Sequence, residues 1–299
     1  MKAASPAAAL PWHGLGFMAE TRHAAGALRL NLALSAPAAD TTVLFLHGVL
    51  RNWRTFFPLF EGLRARFHLA ALDFRGHGLS DRRPGAYRVA HYVEDALAIL
   101  PPLGARRLIL HGHSLGAMVA LAAAAEAPDR VQAIVLEDPP FSTMGGRLPA
   151  TPLGGYFAGV RACLASPPDA WFDGFSDIIV GERADGTPLR VRDQRDELSR
   201  RFSAESLAMI DPAVLGPIVA GQWLDGFDFA ALAGRVRCPV WLLQADAAHG
   251  GMLNDDDAEL LASLLPAAAV ERIRFPGAGH SLHWAQPARL VKIIRAAGE

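Results

Sequence analysis

Ser114 stands in the stretch LHGHSLG, with Gly112 two residues before it and Gly116 two residues after. A serine hydroxyl at its free pKa is a weak nucleophile. It needs a base to take its proton, a group to orient that base, and N–H donors for the oxyanion that forms when it attacks a carbonyl. The hydroxyl must also project from the scaffold, and a sharp turn between a strand and a helix achieves this. Small residues on both sides let the two elements pass closely, the spacing of a nucleophile elbow. The apolar run LIL before the motif and the alanine-rich run after it supply the strand and the helix.

The base is sought late in the chain. His280, in FPGAGHSLHWAQP, follows a strand-like run, and Gly277 and Gly279 allow a tight loop before it. His283 is its local rival and is read as flanking the loop. The acid belongs between serine and histidine in chain order, after a strand, where it fixes the imidazole tautomer. Asp246, after VWLLQ, is the first choice; Asp138, in VLEDPP, is the alternative, otherwise an Asp–Pro turn. Asp255, Asp256 and Asp257 read as charges at a helix N-terminus. For the oxyanion, the backbone N–H groups of Leu115, next to the serine, and of Val49, in the HGVLRN loop, are the natural donors. His111 and His113 form an HxH pair, but no ligand cluster with metal spacing accompanies them. They are assigned to packing, and no metal or cofactor is expected.

These residues need elements to hold them. Short runs rich in Val, Leu and Ile at 27–34, 43–46, 68–72, 107–110, 133–136, 240–243 and 270–275 read as strands. The central ones are continuously apolar, as in strands buried on both faces. Helical patterns lie at 89–100, ending before Pro101-Pro102, at 115–125, and at 255–265. Alternation of strand and helix argues for an α/β chain with a mostly parallel sheet. It lapses between residues 141 and 236, a stretch rich in Gly, Pro and aromatics with no strong strand signal. That stretch reads as a helical insertion at one edge of the sheet.

Composition narrows the partners. The chain has 299 residues, a formal net charge of -1 and 51% hydrophobic residues. No global basic field attracts nucleic acid or an anionic membrane surface. Cys163 and Cys238 make no disulfide framework and no metal pair. No apolar run is long enough for a transmembrane helix, and MKAASPAAALPW is a poor signal peptide, broken by Pro6 and Pro11. The expectation is a cytoplasmic protein with a loose first dozen residues and a small-molecule substrate. Oligomeric state is not readable.

Taken together, LFLHGV, LDFRGHGLSD, LHGHSLG and GAGHSLHWAQP, in this order, resemble the α/β-hydrolase superfamily, in its serine-nucleophile, esterase-like branch. The resemblance covers roughly residues 25–140 and 237–296. It implies an eight-stranded, mostly parallel sheet flanked by helices. Residues 1–140 and 237–299 would form the core, and 141–236 a helical lid. By the motif match, Ser114, His280 and Asp246 take the triad roles, and Val49 and Leu115 the oxyanion roles. The acid loop departs from the pattern: many relatives carry Gly, two residues and then Asp, whereas Ala245 here occupies the glycine position and Asp246 follows at once. Asp73 and Arg75 of DFRGHG look structural. The implied chemistry is acyl transfer from a carboxylic ester or related acyl bond of a small, apolar molecule through an acyl-enzyme. C–C bond hydrolase, lactonase and cofactor-free perhydrolase activities use nearly the same triad, and a non-catalytic ligand-binding receptor shares the fold. Branches with an aspartate nucleophile are disfavoured by Ser114.

Overall fold

A computed structural model describes residues 10–37, 39–183, 185–265 and 270–299. Among these residues ten strands occur: β1 (Met18–Ala25), β2 (Leu28–Ser35), β3 (Thr41–Leu46), β4 (His68–Leu72), β5 (Arg107–His113), β6 (Ala133–Glu137), β7 (Ile179–Glu182), β8 (Pro188–Arg190), β9 (Val240–Ala245) and β10 (Val270–Phe275). Eight of them form one sheet in the order β1-β2-β4-β3-β5-β6-β9-β10. All neighbours from β4 to β10 pair in parallel, and β2 alone runs against the rest.

β1 has no counterpart in the seven expected runs. Its sequence, MAETRHAA, is charged and mostly exposed, so an edge strand facing water leaves no apolar signature. The central β3, β5 and β6 are buried almost throughout, as their continuous apolar runs require.

Alternation along the strands divides the core between the two faces of the sheet. Leu44, Leu46, Leu110, Ile134 and Leu242 pack on one face. The helices α2 (Val89–Leu103) and α3 (Leu115–Glu126) cover it. Val43, Phe45, Ile109, Val135 and Leu243 pack on the other. There α1 (Phe57–Leu63) and, at the C-terminus, the last helix, Pro287–Ala297, meet each other. The first face alone buries eleven consecutive residues of α3, Leu115 to Ala125. That explains its lack of amphipathic pattern: it is apolar all round because it is surrounded.

α2 runs past the expected stop. Pro101 and Pro102 lie exposed in its last turn, and the helix ends at Gly104, which takes the left-handed conformation with φ 61°.

Between β6 and β9 the chain is mainly helical: α4 (Pro152–Leu164), α5 (Trp171–Asp177), α6 (Val191–Gln194), α7 (Glu197–Leu207), α8 (Leu215–Val219) and α9 (Phe229–Ala233). It also holds a strand pair absent from the sequence reading, the antiparallel β7–β8, only four and three residues long. Beyond β9 come α10 (Asp255–Leu264), α11 (Leu282–Ala285) and α12 (Pro287–Ala297).

At the N-terminus, residues 1–9 lie outside the described residues, but the expected looseness does not extend through Trp12. Its indole is buried, donates to Glu205 Oε2 at 2.7 Å, and packs edge-on against Phe202 at 5.0 Å. Cys163 and Cys238 are both free and buried. Among the described residues no single helix is long and apolar enough to cross a membrane.

Candidate active site

Ser114 sits between β5 and α3 with φ 55° and ψ -115°, a left-handed backbone that L-residues rarely adopt. The flanking glycines make this turn feasible. A Cβ on Gly112 would lie 2.1 Å from the carbonyl oxygen of Gly116, and one on Gly116 would lie 1.8 Å from that of Leu46. Neither position has room for any side chain.

His280 follows β10 and shares a cavity of about 410 Å³ with Ser114. Its Nδ1 lies 2.6 Å from Asp138 Oδ2. Asp138 is fully buried and also has a left-handed backbone, φ 47°. Its carboxylate accepts three backbone N–H groups as well, from Ala245 at 3.1 Å, Met252 at 2.7 Å and Leu253 at 3.2 Å. A carboxylate so held is fixed in place, and it fixes the imidazole with Nδ1–H donating and Nε2 left as the acceptor.

Asp246, the first choice from sequence, does not reach His280. Its Oδ1 accepts the N–H of Ala248 at 2.9 Å, and its Oδ2 accepts that of Gly277 at 2.8 Å and faces His249 Nδ1 at 3.2 Å. The N–H groups of Gly277 and Ala248 hold its carboxyl below the usual carboxylate range. Asp246 therefore ties two loops together, and the imidazole's partner is the alternative, Asp138. Asp255, Asp256 and Asp257 occupy the first turn of α10, as read.

Of the two expected oxyanion donors, one lines the cavity and the other adjoins Ser114 in the chain. Val49 lines the cavity with Ser114, and Leu115 opens α3. Neither N–H is taken up by a protein acceptor among the described residues. The loop that carries Val49 is held by two buried histidines. His47 donates from Nδ1 to Gly48 O at 2.8 Å and accepts the Phe74 N–H at Nε2. His77 donates to Arg75 O and accepts the N–H of Leu50, whose φ is 66°. Burial depresses both imidazoles, His77 to about 4. They are neutral at pH 7, which their acceptor roles require. Asp73 and Arg75 are structural, as expected: Asp73 accepts from Trp53 N, Asn31 Nδ2 and Leu79 N, and Arg75 pairs with buried Asp95 at 2.7 Å.

Beneath the cavity lies a second carboxylate–histidine arrangement that the sequence reading left unconnected. Strand alternation places His111 and His113 of β5 and Glu137 of β6 on one face of the sheet. Glu137 is fully buried. It accepts from His111 Nε2 at 3.0 Å, and from the backbone N–H and Nδ1 of His283 at 3.0 and 2.7 Å. Burial works to raise its pKa, but the surrounding His283, His113 and His111 hold it well below the usual range. His113 donates from Nε2 to the backbone carbonyl of His280 at 3.1 Å, and so braces the loop that carries His280. The ligand atoms of His113, Glu137 and His283 lie within 4.8 Å of one another. The Glu137 oxygens, however, are occupied by N–H donors, so the cluster is built as a hydrogen-bond network. His283 is part of that network, and the imidazole that is bonded to Asp138 and shares the cavity with Ser114 is that of His280.

The rest of the cavity wall comes largely from the segment between β6 and β9, including Leu153, Tyr156, Phe157, Phe175 and Arg195. Of the aromatics of that segment, Tyr156, Phe157 and Phe175 reach the cavity. Trp223 is in the core, Phe229 stacks on Phe141 at 4.3 Å, and Phe202 packs on Trp12. Arg51 enters from the loop after Val49. Burial, and then the nearby Arg195, lower its guanidinium to about 10, so it remains charged at pH 7.

Comparison with known proteins agrees with this architecture. The family described as alpha/beta hydrolase fold matches residues 41–287, and the chain belongs to that family. It is 38% identical over 110 residues to a 2-(acetamidomethylene)succinate hydrolase of Mesorhizobium japonicum, a match covering 37% of this chain and 40% of that protein. It is 34% identical over 140 residues to the lipase LipV of Mycobacterium tuberculosis, covering 46% and 49%. These matches thus span less than half the length of either relative. A hydrolase structure from Pseudomonas aeruginosa superposes with a TM-score of 0.69 at 20% identity, covering 94% of this chain and 98% of that one, and shows the shared fold.

Proposed function

We propose that this chain is a serine hydrolase that cleaves a carboxylic ester or related acyl bond of a small molecule through an acyl-enzyme. The observation that carries the reading is the placement of Ser114, on a left-handed turn, in one cavity with a histidine whose Nδ1 is bonded to buried Asp138. His280 Nε2 takes the proton of Ser114 as the hydroxyl attacks the carbonyl. The N–H groups of Val49 and Leu115 stabilise the oxyanion. The protonated imidazole, its Nδ1–H held by Asp138, gives the proton to the leaving group, and water cleaves the acyl-enzyme by the reverse roles. Residues 141–236 act as the lid, since they supply much of the cavity wall and shield the acyl group from bulk water. The hydrolase and lipase names of partly matching relatives support the class of reaction.

The experiment is a panel of 4-nitrophenyl esters, lactones and β-diketones assayed with the parent protein and with Ser114→Ala, each with and without a chelator. Ester or lactone turnover that survives the chelator and is lost in the variant supports the reading. Turnover retained by Ser114→Ala, or abolished by the chelator, contradicts it.

A further inference from the structure

The cavity that Ser114 lines is also lined by two arginines, Arg51 and Arg195, and, among the described residues, by no Asp or Glu. Arg51 donates from Nη1 to Ser203 Oγ at 2.6 Å and lies over the Phe202 ring at 5.6 Å. Arg195 follows α6. Its guanidinium carbon is 5.7 Å from the ring centroids of both Tyr156 and Phe175, and its Nη1 is buried with no hydrogen-bond partner. Neither arginine takes part in a salt bridge among the described residues. Other arginines of the same segment, Arg183, Arg190, Arg192 and Arg201, each pair with Asp or Glu.

Burying a guanidinium N–H without an acceptor is unfavourable, and placing a second cation beside it adds repulsion. The fold nonetheless holds both, each steadied by aromatic faces and one by a hydroxyl. Such a pair lacks one thing, an anionic acceptor, and the open side of the cavity is where it can arrive. A planar guanidinium matches a carboxylate through two parallel N–H bonds. Leu153, Phe157, Val180 and Leu207 also line the cavity, and these apolar side chains suit a short carbon chain.

We propose that Arg51 and Arg195 form a carboxylate-binding subsite, so that the molecule processed at Ser114 carries a free carboxylate. The choice of substrate class rests on the reading of Ser114 as the nucleophile; the binding of a carboxylate does not.

Two measurements separate these claims. In the first, glutarate, its diamide and inorganic phosphate are titrated calorimetrically into Ser114→Ala protein. Glutarate is expected to bind and the diamide is not. Arg195→Gln added to this background is expected to weaken glutarate by roughly tenfold to a hundredfold, with Arg195→Lys losing less. In the second, kcat/KM is compared for 4-nitrophenyl hemiglutarate and 4-nitrophenyl pentanoate. The charged ester is expected to be preferred, and the ratio of the two is expected to fall by a similar factor in Arg195→Gln. Glutarate binding without any ester turnover would keep the subsite and remove the nucleophile reading. Turnover of the neutral ester, with no glutarate binding and no charged-ester preference, would overturn the subsite and leave the hydrolase. Phosphate binding more tightly than glutarate would overturn the carboxylate assignment. Equal thermal unfolding midpoints for the variants exclude misfolding as the cause of a loss.

Discussion

Asp138 Oδ2 and His280 Nδ1 lie 2.6 Å apart, although the two residues are 142 positions apart in the chain. Parallel pairing of β6 with β9 and of β9 with β10 brings the ends of all three strands to one edge of the sheet. Asp138 follows β6 and His280 follows β10. Replacing Asp138 by Asn is expected to lower kcat by roughly 10³–10⁴-fold, because the amide can present its NH₂ to Nδ1 and favour the wrong tautomer. Asp246→Asn is expected to leave kcat near that of the parent while loosening the loop around Gly277. Steady-state kinetics of the two variants on one ester check this. A large loss in Asp246→Asn with none in Asp138→Asn would reverse the assignment.

The glycines of the elbow differ from other glycines in a way that stability measurements can read. A methyl on Gly116 would meet the Leu46 carbonyl at 1.8 Å, whereas one on exposed Gly155 of α4 meets nothing within 4 Å. Gly116→Ala is expected to cost about 3 kcal/mol or more, because backbone must move. Gly155→Ala is expected to stabilise the protein by roughly 0.5–1 kcal/mol through reduced freedom of the unfolded chain. Urea unfolding midpoints of the two variants are the test.

Histidines buried in neutral form make the fold sensitive to acid. The pKa of His77 is lowered by burial to about 4, so the unfolded chain binds its proton first. Its contribution is fully present above the unfolded value and is lost as pH falls from about 6.5 to about 4. Over that window it amounts to roughly 3 kcal/mol. His47, His113 and His283, also lowered by burial, act in the same direction. Asp73 opposes them. Burial raises it to about 6, so its contribution is present at low pH and is lost as pH rises from about 4 to about 6. Asp95, whose carboxyl burial also raises, acts with Asp73, but the four histidines outnumber these two carboxyls, and stability is expected to fall as pH drops below about 6.5. In His77→Gln the slope of unfolding free energy against pH is expected to be shallower between pH 4 and 6.5.

Glu137 lies under the site without itself lining the cavity. Removing its carboxylate in Glu137→Leu leaves the N–H donors of His111 and His283 buried and unpaired, at a cost of about 3–5 kcal/mol. Activity per folded molecule is expected to fall less than in Asp138→Asn. Chemical unfolding together with active-site titration separates the two effects.

Much of this site was legible because its chemistry is local in sequence. Gly112, Ser114 and Gly116 announce the turn, and the glycines before His280 announce its loop. The partner of the His280 imidazole was not, for a topological reason. Asp138 and Asp246 both emerge from the C-terminal ends of adjacent parallel strands, and only the path of the loops decides which carboxylate turns toward the imidazole. The left-handed backbone at Asp138, before Pro139-Pro140, is the structural difference. β1 escaped notice because an exposed edge strand needs no apolar pattern. Arg51 and Arg195 were not legible as a pair, since 144 positions separate them and nothing near either in sequence marks the absence of a partner.

The most direct measurement is covalent labelling of Ser114. The protein is treated with a phenylmethylsulfonyl or fluorophosphonate reagent, and the adduct is located by peptide mass spectrometry. One adduct per chain is expected, on Ser114, forming far more slowly in His280→Ala and Asp138→Asn. A protein that hydrolyses esters yet carries no label on Ser114, or labels at an undiminished rate without His280, would contradict the assignment of Ser114 as a nucleophile activated by that histidine.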